Sequence, residues 1–227
     1  MNTRVTELLG QFRETVAECE RFCYAARARE FQVESIANLG TLESAISALK
    51  AEMVEVGDED AANCLLSLGL AAGALRLELN MWVALKDDDA ALAWNSLVDA
   101  QSRASNAIRA HAVSHHLERY VQRLEDLERL LFPPMTFMSV GMVIRESRCS
   151  ICGSEYGDCD HVKGEVYMGE MCGREITRAD LTDISIVPRP ANKRARLTVI
   201  SDAGTRRDLL TWRVIPPSEH DASGTGK

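Results

Sequence analysis

The sequence predicts an α+β protein in which an antiparallel helical bundle over residues 1–132 precedes a small β domain over residues 135–216. Two observations support this prediction. The first 132 residues contain no proline, and their apolar residues recur every three or four positions, which is the spacing of amphipathic helices. After Pro133-Pro134, prolines, glycines and β-branched residues appear in short alternations, which are typical of strands and turns.

Turn and cap residues divide the helical part into separate apolar stripes. The stripes run over residues 5–26, 36–53, 58–85 and 90–132. Gly57 breaks the second pattern, and Asp58 can cap the third helix with its carboxylate. The acidic run at residues 87–89 suits the start of a fourth helix, because the helix dipole favours negative charge there. We expect the long fourth stripe to break between Ala110 and Ser114, which gives a bundle of four or five helices.

The residues after Pro134 contain short segments with strand character. They lie at residues 136–144, 184–187, 196–200 and 209–215. Asp202-Ala-Gly-Thr205 separates the last two segments and predicts a hairpin turn between them. The tail over residues 217–227 is polar, so we expect it to be disordered.

Composition and charge exclude several classes of protein. The chain has 46% apolar and 26% charged residues, which is ordinary globular composition. The apolar run from Leu65 to Leu75 is too short to cross a bilayer, and Glu7 and Arg13 interrupt the region where a signal peptide is apolar. We therefore expect a cytoplasmic protein with no membrane partner.

The net charge of the chain is concentrated in its first part. Residues 1–134 carry 13 Lys and Arg against 21 Asp and Glu, a net charge of −8, which makes nucleic acid an unfavourable partner. The basic residues between 189 and 196 are interpreted as a solvated loop.

A group of metal-binding residue types lies in the β domain. Cys149-Ser-Ile-Cys152-Gly has the spacing at which two thiolates reach one ion, and Cys159-Asp-His161 places two donors on the same side of an extended segment. These four residues match tetrahedral Zn²⁺, and Cys172 is a fifth candidate that can take the place of Cys159 or His161. Because the candidates fill the coordination shell, we expect a structural zinc that stabilises the small β domain.

Two segments resemble the C-terminal part of tailed-phage prohead proteases, the enzymes of head maturation. Phe137-Met-Ser-Val-Gly-Met resembles their Met-Ser-x-Gly-Phe strand, and the segment LTDISIVPRPAN at 181–192 resembles their Glu-Val-Ser-x-Val-x-x-Pro-Ala-Asn segment. The cysteine-rich stretch between them is similar to a zinc-binding insertion of some large-phage members. The resemblance covers residues 135–200.

The resemblance places Ser139 at the nucleophile position of those proteases and Asp183 beside the position of their acidic partner, where Glu is usual. Their catalytic histidine lies upstream in a strand, and His111, His115 and His116 fall in a helical pattern instead. A serine without a positioned base is a poor nucleophile. We therefore expect Ser139 to be a strand residue, with an active serine endopeptidase that uses Ser139 as the alternative.

A second enzymatic alternative is an RNase of the HEPN type, which is also helical. Arg109-x5-His115 and Arg109-x6-His116 fit the Arg-x4–6-His spacing of these enzymes. On a continuous helix Arg109 and His116 share one face two turns apart, where they could hold a phosphate and move a proton.

The resemblance to prohead proteases, taken with the missing histidine, implies a non-catalytic protein of phage head morphogenesis, a prohead core or accessory component that acts through protein–protein contacts. The expected partners are further copies of this chain or phage assembly proteins, with the helical bundle as the main contact surface. The expected location is the host cytoplasm or the virion.

Overall fold

The computed structural model describes residues 3–216 and confirms a mixed fold, with helices before Pro133 and strands after Pro134. The α-helices in these residues are α1 (Thr3–Glu20), α2 (Arg29–Glu55), α3 (Glu59–Lys86), α4 (Ala90–Ala110) and α5 (Glu118–Leu131), with a 3₁₀ helix at Ala112–Leu117. The strands are β1 (Phe137–Cys149), β2 (Val166–Tyr167), β3 (Glu170–Met171), β4 (Arg174–Val187), β5 (Val199–Asp202), β6 (Thr205–Asp208) and β7 (Val214–Ile215). The predicted disordered tail lies outside the described residues.

Capping groups set where the helices begin and end. The Asp58 carboxylate accepts a hydrogen bond from the Ala61 amide at 3.1 Å, and Asp89 caps α4 in the same way. The predicted break in the fourth stripe is found at His111, where the backbone is extended and the ring nitrogen accepts a hydrogen bond from the Val113 amide. α4 and α5 are therefore separate helices.

The central helix of the bundle is α3, which contacts α1, α2, α4 and the 3₁₀ helix. Its residues are apolar on most of its circumference, which suits a helix that other elements surround. α3 is the one helix of residues 3–216 that is long and apolar enough to cross a membrane, although the Leu65–Leu75 run alone is too short. In its most apolar stretch, 67% of the residues are buried inside the protein, as in the core helix of a helical bundle.

The strands form three small sheets. β1 and β4 make a long antiparallel ribbon in which Phe137 is opposite Val187 and Cys149 is opposite Arg174. β2 and β3 form a two-residue hairpin, and β5, β6 and β7 form a three-stranded sheet. The turn between β5 and β6 lies at Ala203-Gly204, where the sequence predicts it.

Two of the predicted strand boundaries are wrong. The segment 184–187 is only the end of the longer β4, and β6 takes the place of the predicted strand at 209–215. The Asp208 carboxylate accepts hydrogen bonds from the amides of Leu210 and Thr211, which folds the chain into a turn after β6. Of the predicted segment, only Val214 and Ile215 are in a strand.

The helical and β parts share an apolar cluster. The Trp94 ring on α4 packs edge-on against Phe132, with 5.3 Å between centroids, and lies 6.2 Å from the ring of Phe137 at the start of β1. Val187 and Leu210 pack against the same cluster. Burial therefore anchors one end of the ribbon on the bundle.

The basic segment between residues 189 and 196 is a loop, as expected, but it is only partly solvated and also anchors the β region on the helices. The Lys193 ammonium lies 2.6 Å from a Glu128 carboxylate oxygen on α5, and Arg194 pairs with Asp99 on α4. Arg196 is buried. The acidic surface of the bundle attracts this basic segment. The carboxylates compensate its positive charges, which a nucleic acid would otherwise contact.

Candidate metal centre

The turn after β1 brings Cys152 beside Cys149. The Cys149 amide donates to the Ser154 carbonyl, and the Gly153 amide donates to the Cys149 carbonyl, both at 2.9 Å. Gly153 has a φ of +72°, a left-handed conformation that glycine adopts without strain. Gly153 therefore allows the chain to fold back after the second cysteine.

The start of β4 brings Cys172 to the same place. The Ser150 amide donates to the Gly173 carbonyl at 3.1 Å, and the Gly173 amide donates to the Ser150 hydroxyl at 2.7 Å. These bonds place the Cys172 sulfur 3.9 Å from the Cys149 sulfur, and both residues are buried.

The loop between the two strands supplies Cys159 and His161. The hydrogen bonds between Gly164 and Cys172 and between Cys172 and Glu165, both at 2.8 Å, close this loop against the beginning of β4. The His161 ring packs edge-on against Tyr167, with 4.6 Å between centroids. This contact fixes the orientation of the imidazole.

The donor atoms of Cys149, Cys152, Cys159 and His161 all lie within 4.8 Å of one another and could bind a metal ion. A tetrahedral ion with sulfur at roughly 2.3 Å holds neighbouring sulfurs roughly 3.8 Å apart, close to the separation between Cys149 and Cys172. The Nδ1 atom of His161 is buried and has no hydrogen-bond partner. A metal ion would satisfy this nitrogen, so the residues fit a metal site.

The protonation of the cysteines also suits a metal ion. Hydrogen bonds from the backbone of Cys152 lower the pKa of the Cys149 thiol to about 7, and hydrogen bonds from Ser154 lower the pKa of Cys152. The pKa of Cys159 is raised: the hydrogen bond from the His161 backbone lowers it, but desolvation and the neighbouring thiols outweigh that bond. Burial and Cys149 raise the pKa of Cys172. A bound cation would relieve the repulsion between the thiolates.

The chain between Cys159 and Cys172 is docked on the N-terminal end of α3. Gly169 accepts a hydrogen bond from the Lys50 ammonium at 2.9 Å and donates one to the Asn63 side chain at 2.7 Å. The Glu59 carboxylate accepts from the Met168 amide at 3.2 Å. A Cβ on Gly169 would lie 3.2 Å from the Ala62 carbonyl oxygen, so only glycine fits here without a shift. No sequence motif marks these contacts, so they could not be predicted.

Ser139 and Asp183 lie near each other on the β1–β4 ribbon. Ser139 is opposite Ser185, whose hydroxyl donates to the Asp183 carboxylate at 3.1 Å, and that carboxylate lies over Gly141. Hydrogen bonds from Thr182 and Ser185 lower the pKa of Asp183. Among residues 3–216, no histidine forms a hydrogen bond to Ser139 or Asp183.

Arg109, His115 and His116 do not lie on one helix. The face that Arg109 and His116 were expected to share assumes a continuous helix, but α4 ends at Ala110 and both histidines lie on the following 3₁₀ helix. The Arg109 guanidinium donates to the Gly164 carbonyl at 3.4 Å, and the His116 ring contacts the Val113 carbonyl. The extended backbone at His111 removes the predicted shared face.

No protein-family model matches this chain, and comparisons with curated proteins and with solved structures found no match either.

Proposed function

We propose that this chain is a non-catalytic, zinc-stabilised protein that acts through protein–protein contacts in phage head morphogenesis. The observation that carries the proposal is the convergence of Cys149, Cys152, Cys159 and His161 at one point. Cysteine and histidine together are the ligand set of structural zinc sites. Cys172 remains an alternative to Cys159 or His161, because its sulfur also lies beside Cys149.

The surroundings of the centre favour a structural ion over a catalytic one. A catalytic zinc keeps one position open for water, whereas five candidate donors here compete for four positions. Beyond Pro134, the buried apolar residues of the described chain are Phe137, Cys149, Cys172 and Leu210. Two of these four are cysteines of the centre, so the metal takes the place of a larger apolar core.

The surroundings of Ser139 favour a non-catalytic role. Ser139 is opposite Ser185 on the ribbon, and Asp183 lies two residues before Ser185 on β4. Neither residue is a base that activates a hydroxyl in the way an adjacent imidazole does. Asp183 is occupied by two hydroxyl donors, which stabilise its ionised form and make it a weaker base.

The assignment to head morphogenesis is supported by the resemblance to prohead proteases. The two resembling segments are paired in the structure, since Met138 is opposite Ile186 and Val140 is opposite Ile184. They therefore belong to one structural unit, the β1–β4 ribbon. An active protease is the competing outcome in the test of Ser139.

The metal assignment is tested by measuring the zinc content of freshly purified protein with inductively coupled plasma mass spectrometry. We expect one zinc per chain, and loss of zinc in Cys152→Ser. Cys64→Ser is the matched control, because Cys64 is a buried cysteine in the helical core, and it should keep its zinc. Zinc-free wild-type protein would contradict the proposed centre.

The non-catalytic assignment is tested with Ser139→Ala. We expect the capsid and scaffold proteins of particles assembled with this variant to have the same masses as those assembled with the wild type. A loss of processing in the variant alone would establish the protease alternative. Zinc content and circular dichroism of the variant serve as the control for folding.

A further inference from the structure

The β1–β4 ribbon carries an apolar face that is exposed along its first half. The face consists of six large side chains with relative exposures of 36 to 74%: Met138, Val140, Met142, Leu181, Ile184 and Ile186. In a globular protein an alternating strand normally turns its apolar residues to the core, whereas here the apolar residues are exposed. Contiguous exposed apolar surface of this kind marks an interaction site.

The strand register places these six side chains together. Met138 is opposite Ile186, and Val140 is opposite Ile184. The pairing then skips Thr182, so that Leu181 is opposite Met142 and extends the same face. The result is three cross-strand apolar pairs in a row, while Ser139, Gly141, Asp183 and Ser185 occupy the other face.

From this geometry we infer that a second copy of the chain packs on this face, so that two ribbons form a two-layer β-sandwich. The inference extends the proposed role in protein–protein contacts and rests on it. Burying six partly exposed apolar side chains on each of two copies removes on the order of 1,000 Å² from water, which reaches the lower limit for a specific interface. A two-layer packing of sheets about 10 Å apart needs only such apolar faces.

The chemistry of the face fits a second copy better than other partners. The face carries no charged side chain, and the pairs Arg145–Asp180 and Glu146–Arg178 farther along the ribbon balance each other. A nucleic acid or an anionic membrane therefore finds no excess positive charge here. A two-fold axis that lies in the plane between two copies turns the same face of each copy toward the other, so the same three pairs can contact themselves in an isologous dimer.

The test measures the mass of the full-length, zinc-loaded chain by sedimentation over a range of concentrations. We expect a monomer–dimer equilibrium with a dissociation constant on the order of 10 μM. Ile184→Lys brings like charges together at the centre of the interface, and we expect it to weaken the dimer at least tenfold. Leu130→Lys is the matched control: Leu130 is 80% exposed on α5, and its replacement should leave the dimer unchanged.

The effect of salt on the dissociation constant distinguishes this apolar interface from an electrostatic one. Each copy has a net charge of −8, so screening reduces the repulsion between copies, and the dimer should tighten as salt is added. A wild-type chain that stays monomeric at about 100 μM, or an Ile184→Lys dimer as tight as the wild type, would overturn the inference.

A second measurement uses the wild type alone and does not depend on the folding of a variant. In protein with ¹³C-labelled methionine methyl groups, the signals of Met138 and Met142 should shift with concentration. The signals of the buried Met53 and Met81 should stay constant. Zinc content is measured on the same samples. A monomer that contains zinc would contradict only the inferred dimer, and a dimer without zinc would contradict only the proposed metal centre.

Discussion

The helical region and the ribbon region of this molecule are stabilised in different ways. The helices bury leucine, alanine, methionine and tryptophan side chains along α2, α3 and α4, with α3 in the centre. The residues beyond Pro134 form three small sheets, and few of their apolar side chains are buried. The same chain thus contains one region with a conventional core and one region that combines few buried apolar side chains with a cysteine cluster and contacts with the helices.

This difference shows how a short polypeptide of low apolar burial can be held in a defined conformation. One end of the β1–β4 ribbon is fixed by Phe137 in the aromatic cluster around Trp94, and the other end by the proposed metal centre. The 28 residues of α3 are about 42 Å long, and the 13 residues of β1 extend over about 43 Å. The ribbon therefore matches the length of the bundle.

Removal of the metal should have the largest effect and should be confined to the ribbon region. The free energy of zinc binding at structural sites is on the order of 10 kcal/mol, which exceeds what the few buried apolar residues of this region provide. We expect a chelator to abolish the hydrogen-exchange protection of the Gly164 and Cys172 amides. Amides in the middle of α3 should remain protected. Equal loss of protection in both regions would contradict a self-supporting helical core.

Trp94→Ala should have the next largest effect and should destabilise both regions together. Trp94 is 1% exposed and contacts both Phe132 and Phe137, so the variant leaves a cavity between the helices and the ribbon. Such changes cost about 4 kcal/mol. Chemical denaturation followed by circular dichroism measures the loss. Trp212→Ala is the matched control, because Trp212 is 58% exposed, and it should change the stability far less.

A buried ion pair makes the stability of the helical region dependent on pH. The Glu78 side chain is fully buried, and the Arg123 guanidinium donates to its carboxylate at 2.5 Å. Burial raises the pKa of Glu78, and Arg123 opposes this rise. Arg123→Met leaves the carboxylate without its cation and should cost about 3 kcal/mol at neutral pH, the low end for a buried pair because Arg123 is partly exposed.

The cost of Arg123→Met should fall as the pH is lowered. Without Arg123 the pKa of Glu78 rises further, so Glu78 takes up a proton in the folded state at a pH where the unfolded chain is still ionised. A neutral carboxyl group needs no cation, and the variant then approaches the wild type. Denaturation at pH 7 and pH 5 checks this. Arg129→Met breaks the exposed pair with Asp126 and should cost at most about 1 kcal/mol at either pH.

The sequence predicts the helical region better than the ribbon region, for physical reasons. Helical periodicity and caps such as Asp58 are local signals, and they gave the helices and the break near His111. The spacing of Cys149, Cys152, Cys159 and His161 is also local, and the structure brings these residues together. A bundle of four or five helices and the convergence of the donors could therefore be predicted from local signals alone.

What could not be predicted depends on contacts between distant parts of the chain. The pairing of Lys193 with Glu128, the docking of Gly169 on Asn63 and the burial of Glu78 beside Arg123 join residues that no motif connects. The strand prediction at 209–215 also failed, because the Asp208 carboxylate forms a turn that competes with strand pairing.

Asp58→Ala should have the smallest effect on global stability, but it tests whether the two regions are coupled. Loss of the N-cap of α3 should cost about 1 kcal/mol, and Asp58→Asn should retain the stability because asparagine also accepts the hydrogen bond. The first turn of α3 carries Glu59 and Asn63, which accept hydrogen bonds from the amides of Met168 and Gly169, between Cys159 and Cys172. If this turn frays, those two amides should exchange faster in Asp58→Ala than in Asp58→Asn, with zinc still bound. Unchanged exchange would show that the metal alone holds the loop and that the contacts with α3 add nothing to its stability.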